Sequence, residues 1–291
     1  MIERGAGPAT KPGPARRPGE DRREQRLVGW RQTAAGRLPD AAAGAAFVQE
    51  AGVVTLFPVS PEVPNLFHAH TGDPDSRPET RWDSPAGRVY GWRWGIGQPA
   101  AACYTTFVLR RPTWVAWDLL PAVLRLREAL RTPEELQAAG ALSPGAARIA
   151  RVLADCDGVL STGVLRALAG YPTGKAERAA FLRAVAELDD RLLLAKVFAA
   201  EDEDMRHALI HVRYPEHLAR AAALSLEEAL EQLLLTYLPP AVFARPAALA
   251  KGLTLPPPVV HAALERLSAA GQAVRESLPG EGEPVYVWRT P

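Results

Sequence analysis

The sequence predicts an α+β fold, mainly helical, whose C-terminal half uses one order of elements twice: three helices, then a two-stranded hairpin. Three observations predict it. The last helix of each trio carries a narrow apolar face at helical spacing, Phe181, Val185 and Leu188 in the first copy and Val260, Leu264 and Leu267 in the second. Each of these helices stops at a polar or glycine signal, Asp189-Asp190 or Gly271, and runs straight into a strand. The middle helix of each trio is short. A three-helix unit with a short middle helix and a trailing hairpin is a helix-turn-helix with a β-hairpin wing, so the reading is tandem winged-helix modules.

Residues 1–22 are rich in Gly, Pro and Arg and are expected to be a disordered basic tail. Over residues 1–37, Lys11 and eight arginines face four carboxylates, although the whole chain carries a net charge of only +1. Residues 23–131 form an N-terminal α/β region that holds most of the aromatics and is also readable as a divergent winged-helix unit. In it we expect a helix at 41–51, a buried strand at 53–59, a mainly loop stretch at 60–80, strands at 88–94, 104–109 and 113–117, and a helix at 119–130. The first winged-helix domain spans 142–216, with helices at 144–154, 161–169 and 175–190 and strands at 192–200 and 207–214. The acidic segment 201–204 joins the two strands. The second spans 225–291, with helices at 226–238, 245–251 and 257–270 and strands at 272–278 and 284–289.

Composition excludes several classes. The chain has 291 residues, 47% of them hydrophobic, yet no apolar run reaches the ~18 residues of a membrane span. No signal-peptide core opens the sequence, and Cys103 and Cys156 stand far apart, as expected of reduced thiols in a cytoplasmic protein. No Cys/His pair has metal-ligand spacing, so neither a metal nor any other cofactor is expected. Were the segment extended, His68 and His70 would share a side, but no third ligand accompanies them.

The partner expected is DNA, double-stranded or damaged. Lys175 and Arg178, one turn apart at the start of the first recognition-type helix, and Arg183 further along it could reach phosphates or base edges. The corresponding helix of the second copy offers only His261, Glu265, Arg266 and Ser268. Read as a strand, Arg88–Trp94 places Tyr90, Trp92 and Trp94 on one face and Arg93 on the other. Such aromatics could stack on an unpaired base, although core packing is the commoner role of Trp.

The stretch Phe47–Val59, the segment Tyr90-Gly-Trp92-Arg-Trp94, the Leu109-Arg-Arg-Pro112 turn and the repeated helix–hairpin units resemble the AlkZ/YcaQ superfamily of winged-helix DNA glycosylases, in particular its AlkZ-related branch. The resemblance covers about residue 40 to the end. It implies a DNA-binding architecture in which Arg93, Arg110, Arg111, Lys175, Arg178, Arg183 and the N-terminal arginines contact the backbone. It also implies base excision, a hydrolase reaction, through a Gln-x-Gln or Gln-x-Asp motif that holds the attacking water. At that place this chain has Thr55-Leu56-Phe57. Phenylalanine cannot hold water and threonine is a poor base, so the motif is absent and enzymatic activity stays open. Glu50 is the one candidate substitute for the catalytic residue. Three readings follow: a DNA-binding protein related to DNA damage, an active glycosylase with a substituted acid/base residue, and a winged-helix transcription regulator or adaptor with a protein partner.

Overall fold

The computed structural model describes residues 18–127, 129–156, 158–199 and 205–289. Its N-terminal region runs α1 (Pro18–Gly29), α2 (Ala41–Ala51), β1 (Val53–Thr55), α3 (Leu66–Thr71), α4 (Pro85–Gly97), β2 (Cys103–Thr105), β3 (Thr113–Val115) and α5 (Leu120–Leu126). A short helix α6 (Pro133–Ala138) leads into α7 (Pro144–Asp155), β4 (Leu160–Ser161), α8 (Thr162–Leu168), α9 (Lys175–Asp190), β5 (Leu194–Phe198) and β6 (Met205–Leu209). Then come α10 (Ile210–Arg213), α11 (Pro215–Ala222), α12 (Leu226–Ala241), β7 (Phe243–Ala244), α13 (Pro246–Leu253), α14 (Pro257–Ala269), β8 (Ala273–Glu276) and β9 (Val285–Trp288). The fold is α+β with antiparallel sheets, as expected from the sequence.

The element order helix–strand–helix–helix–strand–strand occurs twice, as α7-β4-α8-α9-β5-β6 and as α12-β7-α13-α14-β8-β9. Its strands are arranged alike in both copies. The third strand of each set lies between the other two, giving β5-β6-β4 and β8-β9-β7. The first strand of each set is only two residues long and lies between two helices, too short for an alternation pattern to reveal.

The two sheets differ in what they join. One has six strands in the order β1-β3-β2-β5-β6-β4 and is continuous from the N-terminal region into the first repeat, through the pairing of Tyr104 with Lys196. Around this seam Lys196, although its side chain is only 7% exposed, keeps its charge partners. Its Nζ donates to both oxygens of Asp189 at 2.8 and 2.9 Å and to His207 Nδ1 at 3.0 Å. With Nδ1 accepting, the ring proton sits on Nε2, 2.9 Å from Thr162 Oγ1. Burial, helped by the Lys196 charge, pushes the His207 pKa down to about 3, and burial pushes that of Asp189 up. The three-stranded sheet β7-β9-β8 belongs to the second repeat. A large apolar core joins that repeat to α5, β3 and Trp30 of the N-terminal region.

Several sequence expectations are corrected. Residues 18–22 belong to α1 instead of a tail, while 1–17 lie outside the described residues, as do 200–204, which contain the acidic wing turn. The stretch 88–94 is helix, not strand. Ser84 caps α4 by accepting from Gly87 N, Pro85 occupies its first turn, and Val89, Trp92, Arg93 and Ile96 are buried at helical spacing. The period-of-two reading of Tyr90, Trp92 and Trp94 therefore fails: Trp92 is core, and Tyr90 reaches the surface. The strands at 53–59 and 104–109 are cut short at Thr55 and Thr105, where the chain turns away from the sheet. The strand 207–214 stops at Leu209, after which α10 and α11 run on. The helix at 119–130 closes at Leu126, and the loop 60–80 contains α3.

Candidate functional site

The segment that matters most begins at α2. Asp40 accepts from Ala43 N at its start, and Gly52, at φ 75°, ends it by donating its N–H to Val48 O. The chain passes at once into β1, an edge strand whose Thr55 lies opposite Thr113 of β3. Thr55 is fully buried. Its hydroxyl donates to Phe57 O at 2.8 Å, with Pro64 O at 3.4 Å, and its N–H donates to Pro64 O. The hydroxyl is therefore committed to holding the turn at 56–64 and has no access to solvent. Leu56 N donates to Pro112 O and Leu56 O accepts from Phe67 N, so the backbone here is fixed on both sides.

Phe57 is half-buried and stands between two clefts. One, of about 340 Å³, is formed with Pro78, Thr80, Trp82 and Tyr90. The other, of about 470 Å³, is formed with Pro58, Leu109, Arg111 and Pro112. The first is also lined by the Glu79 carboxylate and Arg81, whereas the second is lined by no carboxylate or amide side chain.

A larger cleft of about 590 Å³ lies beyond the 58–65 loop, lined among others by Arg23, Arg26, Trp30, His68 and Arg245. Its cations are already committed. Glu62, fully buried, accepts from Arg26 Nη1 at 3.0 Å, from Arg26 Nη2 at 3.3 Å, from Arg245 Nη1 at 2.5 Å and from the Tyr237 hydroxyl at 3.0 Å. Arg26 also donates to the carbonyls of Ala241 and Phe243. Arg245 and Arg23 converge on Glu281, whose pKa is held down to about 2, mainly by the hydrogen bonds from Arg245. Burial, and then the charge of Glu62, drives Tyr237 well above its ordinary range. His68 is equally occupied. Asn65 Nδ2 donates to its Nδ1, which leaves the proton on Nε2 facing Ser76 O at 3.1 Å, and burial lowers its pKa.

Most of the residues singled out in the sequence do not meet at one place. Glu50 is on the last turn of α2, 46% exposed and paired with Arg31 at 2.7 Å, so it faces solvent, away from the buried Thr55. Arg93 is buried. Its Nε donates to Tyr90 O at 2.9 Å and its guanidinium lies 3.3 Å from the centroid of the Tyr90 ring, which removes it from any phosphate. Arg110 is 79% exposed and pairs with Asp190 at 3.2 Å. Arg111 is exposed beside Phe57. Lys175, Arg178 and Arg183 are all exposed on α9.

On α14, Glu265 takes the Tyr286 hydroxyl and faces Arg275, while Arg266 faces Glu227, so its charges are largely balanced. Of the N-terminal arginines, Arg4, Arg16 and Arg17 lie outside the described residues. Arg23, Arg26 and Arg31 hold intramolecular carboxylates. His68 and His70 sit on helix α3, the latter 2.9 Å from Leu38 O. Among the described residues no three His, Cys, Asp or Glu side chains form a metal-binding group, and no helix is long and apolar enough to cross a membrane.

Two features escaped the sequence reading. The Arg26–Glu62–Arg245 cluster joins residues far apart in the chain, for which one sequence holds no signal. Trp82 is 78% exposed and meets Tyr90 edge-on, centroids 5.5 Å apart. A tryptophan amid Pro, Asp, Thr and Arg in a turn-rich stretch was the available hint.

A family model described as AlkZ related matches residues 40–250. Among solved structures, the DNA glycosylase AlkZ of Streptomyces sahachiroi is similar in fold, with a TM-score of 0.54 at 13% sequence identity, covering 91% of this chain and 69% of that one. No curated protein matches the chain.

Proposed function

The chain belongs to the AlkZ-related family, and from that premise we propose that it is a DNA-binding protein related to DNA damage, built on tandem winged-helix modules, which does not excise bases by the glycosylase route. The carrying observation is the state of Thr55 and Phe57. The one hydroxyl in the motif position is buried and spent on the backbone, and the other side chain is a phenyl ring. Hydrolysis at an anomeric carbon needs a group that orients and deprotonates water, and neither can do so. Glu50 does not supply it, since its carboxylate faces solvent and Arg31.

The winged-helix reading is supported by the repeated element order and by the shared placement of the third strand between the other two. In this reading α9 is the DNA-facing helix, with Lys175, Arg178 and Arg183 on the backbone, while α14 contributes little. Double-stranded or damaged DNA is the partner, and Arg111 marks the strand's path past Phe57.

Fluorescence anisotropy with a labelled duplex tests this. Each phosphate contact adds a slope of about −0.9 in log affinity against log salt, so three contacts predict a loss of roughly 40-fold between 50 and 200 mM salt. No affinity at low salt would sink the proposal. Release of an alkylated base by the wild-type chain would overturn its non-catalytic half.

The adaptor reading draws on three apolar side chains of the first repeat, Val164 and Leu168 on α8 and Leu182 on α9, each about half exposed. Duplex binding that disappears on Lys175→Ala/Arg178→Ala favours DNA over a protein partner on this repeat.

A further inference from the structure

We infer that the aromatic cleft between Trp82, Tyr90 and Phe57 is a stacking site for a single unpaired nucleobase, which gives this chain recognition of distorted DNA without chemistry on it. The inference rests on the DNA-binding reading and names what that reading leaves open, the feature of DNA selected.

The site is built. Helix α4 begins three residues after Trp82, and the N-cap serine holds the preceding turn: Ser84 N and Oγ both donate to Arg81 O, at 3.3 and 2.6 Å. At Gly87 a Cβ would stand 2.2 Å from Trp82 O, so only glycine lets this turn lie against the helix and bring Trp82 beside Tyr90. The Tyr90 ring is held from behind by Arg93, whose guanidinium covers one face while its Nε grips the Tyr90 carbonyl. Phe57, fixed through the β1 turn, closes the cleft. The platform is therefore set before any ligand arrives, so little ordering remains to oppose binding.

Its chemistry suits a base. Trp82 meets Tyr90 edge-on, so Tyr90 covers at most one face of the Trp82 ring, and Trp82 is 78% exposed. A tryptophan so exposed has most of its apolar surface left to bury. About 340 Å³ is room for one ring system, not for a duplex groove. Among the exposed residues from Arg77 to Arg88, three arginines stand against Glu79, which lines the cleft, and Asp83, which pairs with Arg81, so Arg77 and Arg88 leave the surroundings of the cleft positive by one charge, the sign a phosphate-bearing strand requires. Exposed Arg111 lies on the far side of Phe57.

The test compares three labelled duplexes of equal length with the full-length protein: fully matched, with a one-nucleotide bulge, and with the same bulge made abasic. The abasic bulge keeps the flexibility and the phosphate but lacks the ring. Stacking one base on an aromatic platform predicts that the base-bearing bulge binds about tenfold more tightly than the other two. Trp82→Ala is expected to erase the difference between the base-bearing and abasic bulges, and Trp82→Phe to retain part of it. Because Trp82 is on the surface, a circular dichroism spectrum matching wild type is expected for both variants. Equal affinity for the two bulges, or a preference that survives Trp82→Ala, would overturn the inference while matched-duplex binding leaves the wider reading standing. Absence of binding to all three would overturn both.

Discussion

Replacing Glu62 by alanine removes the carboxylate on which three elements converge. Glu62 is fully buried, Arg26 is 5% exposed, and their hydrogen bonds span α1, the 58–65 loop, the Tyr237 hydroxyl of α12 and the Arg245 N–H just before α13. Without Glu62, Arg245 keeps Glu281, but Arg26 retains the carbonyls of Ala241 and Phe243 and the rings of Trp30 and Phe243 and becomes a buried charge with no carboxylate counter-ion. Breaking a buried pair from one side costs about 3–5 kcal/mol, because the stranded partner stays desolvated.

At an unfolding entropy of about 2.1 cal/mol/K per residue, a chain of this size has about 0.6 kcal/mol/K, so the melting temperature should drop by about 5–8 °C. Urea denaturation followed by circular dichroism measures the loss directly, with the slope m checked for constancy. The double variant Arg26→Met/Glu62→Leu removes both charges and should recover much of the stability lost in Glu62→Ala. A Glu62→Ala loss below about 1 kcal/mol, the range of an exposed pair, would refute the claim that this buried cluster clasps α1 to the C-terminal repeat.

Other perturbations address different parts of the molecule. Lys175→Ala and Arg178→Ala should each weaken duplex binding by a similar factor for all sequences and reduce the salt slope by about one, whereas Arg93→Ala should act through packing and leave the slope unchanged. Glu281 has a folded pKa of about 2, below its ordinary value of 4.5. Its contribution to stability is therefore present above pH 4.5 and is lost as pH falls toward 2. Thermal melts of Glu281→Gln should show a shallower decline over that window than wild type. His207, lowered from 6.5 to about 3, is neutral in the fold but takes a proton when unfolded. Its contribution is thus complete above pH 6.5 and lost as pH falls toward 3. In an NMR titration the imidazole should remain neutral at pH 5, and a midpoint near 6.5 would contradict the buried Lys196–His207–Thr162 chain.

How much of the molecule a single sequence reveals depends on whether the signal is local. The helices α2 and α9 match the expected bounds, and α7, α12 and α14 come within three residues, because their apolar spacing and their stops are properties of neighbouring residues. The stretch around Trp92 misled for an equally local reason. Tyr90, Trp92 and Trp94 alternate like a strand, but Ser84, Pro85 and the 89-92/93-96 spacing of buried residues govern the outcome. At Thr55 and Phe57 residue identity was legible and no more: a phenyl ring and a threonine hydroxyl are poor groups for activating water.

Other features lay beyond the sequence because they depend on who meets whom across the fold. Arg93 and Arg111 are both arginines in an aromatic-rich region, yet one is sealed under Tyr90 and the other faces solvent. Glu62 reads as an ordinary loop carboxylate until Arg26 and Arg245, 36 and 183 positions away, close on it. The chain by itself determined the longer helices, α2, α7, α9, α12 and α14. Only the tertiary structure decided which charges are spent inside, and that Trp82, Tyr90 and Phe57 come together at the surface. Periodicity is encoded within a few residues, whereas desolvation and pairing depend on distant segments packing together.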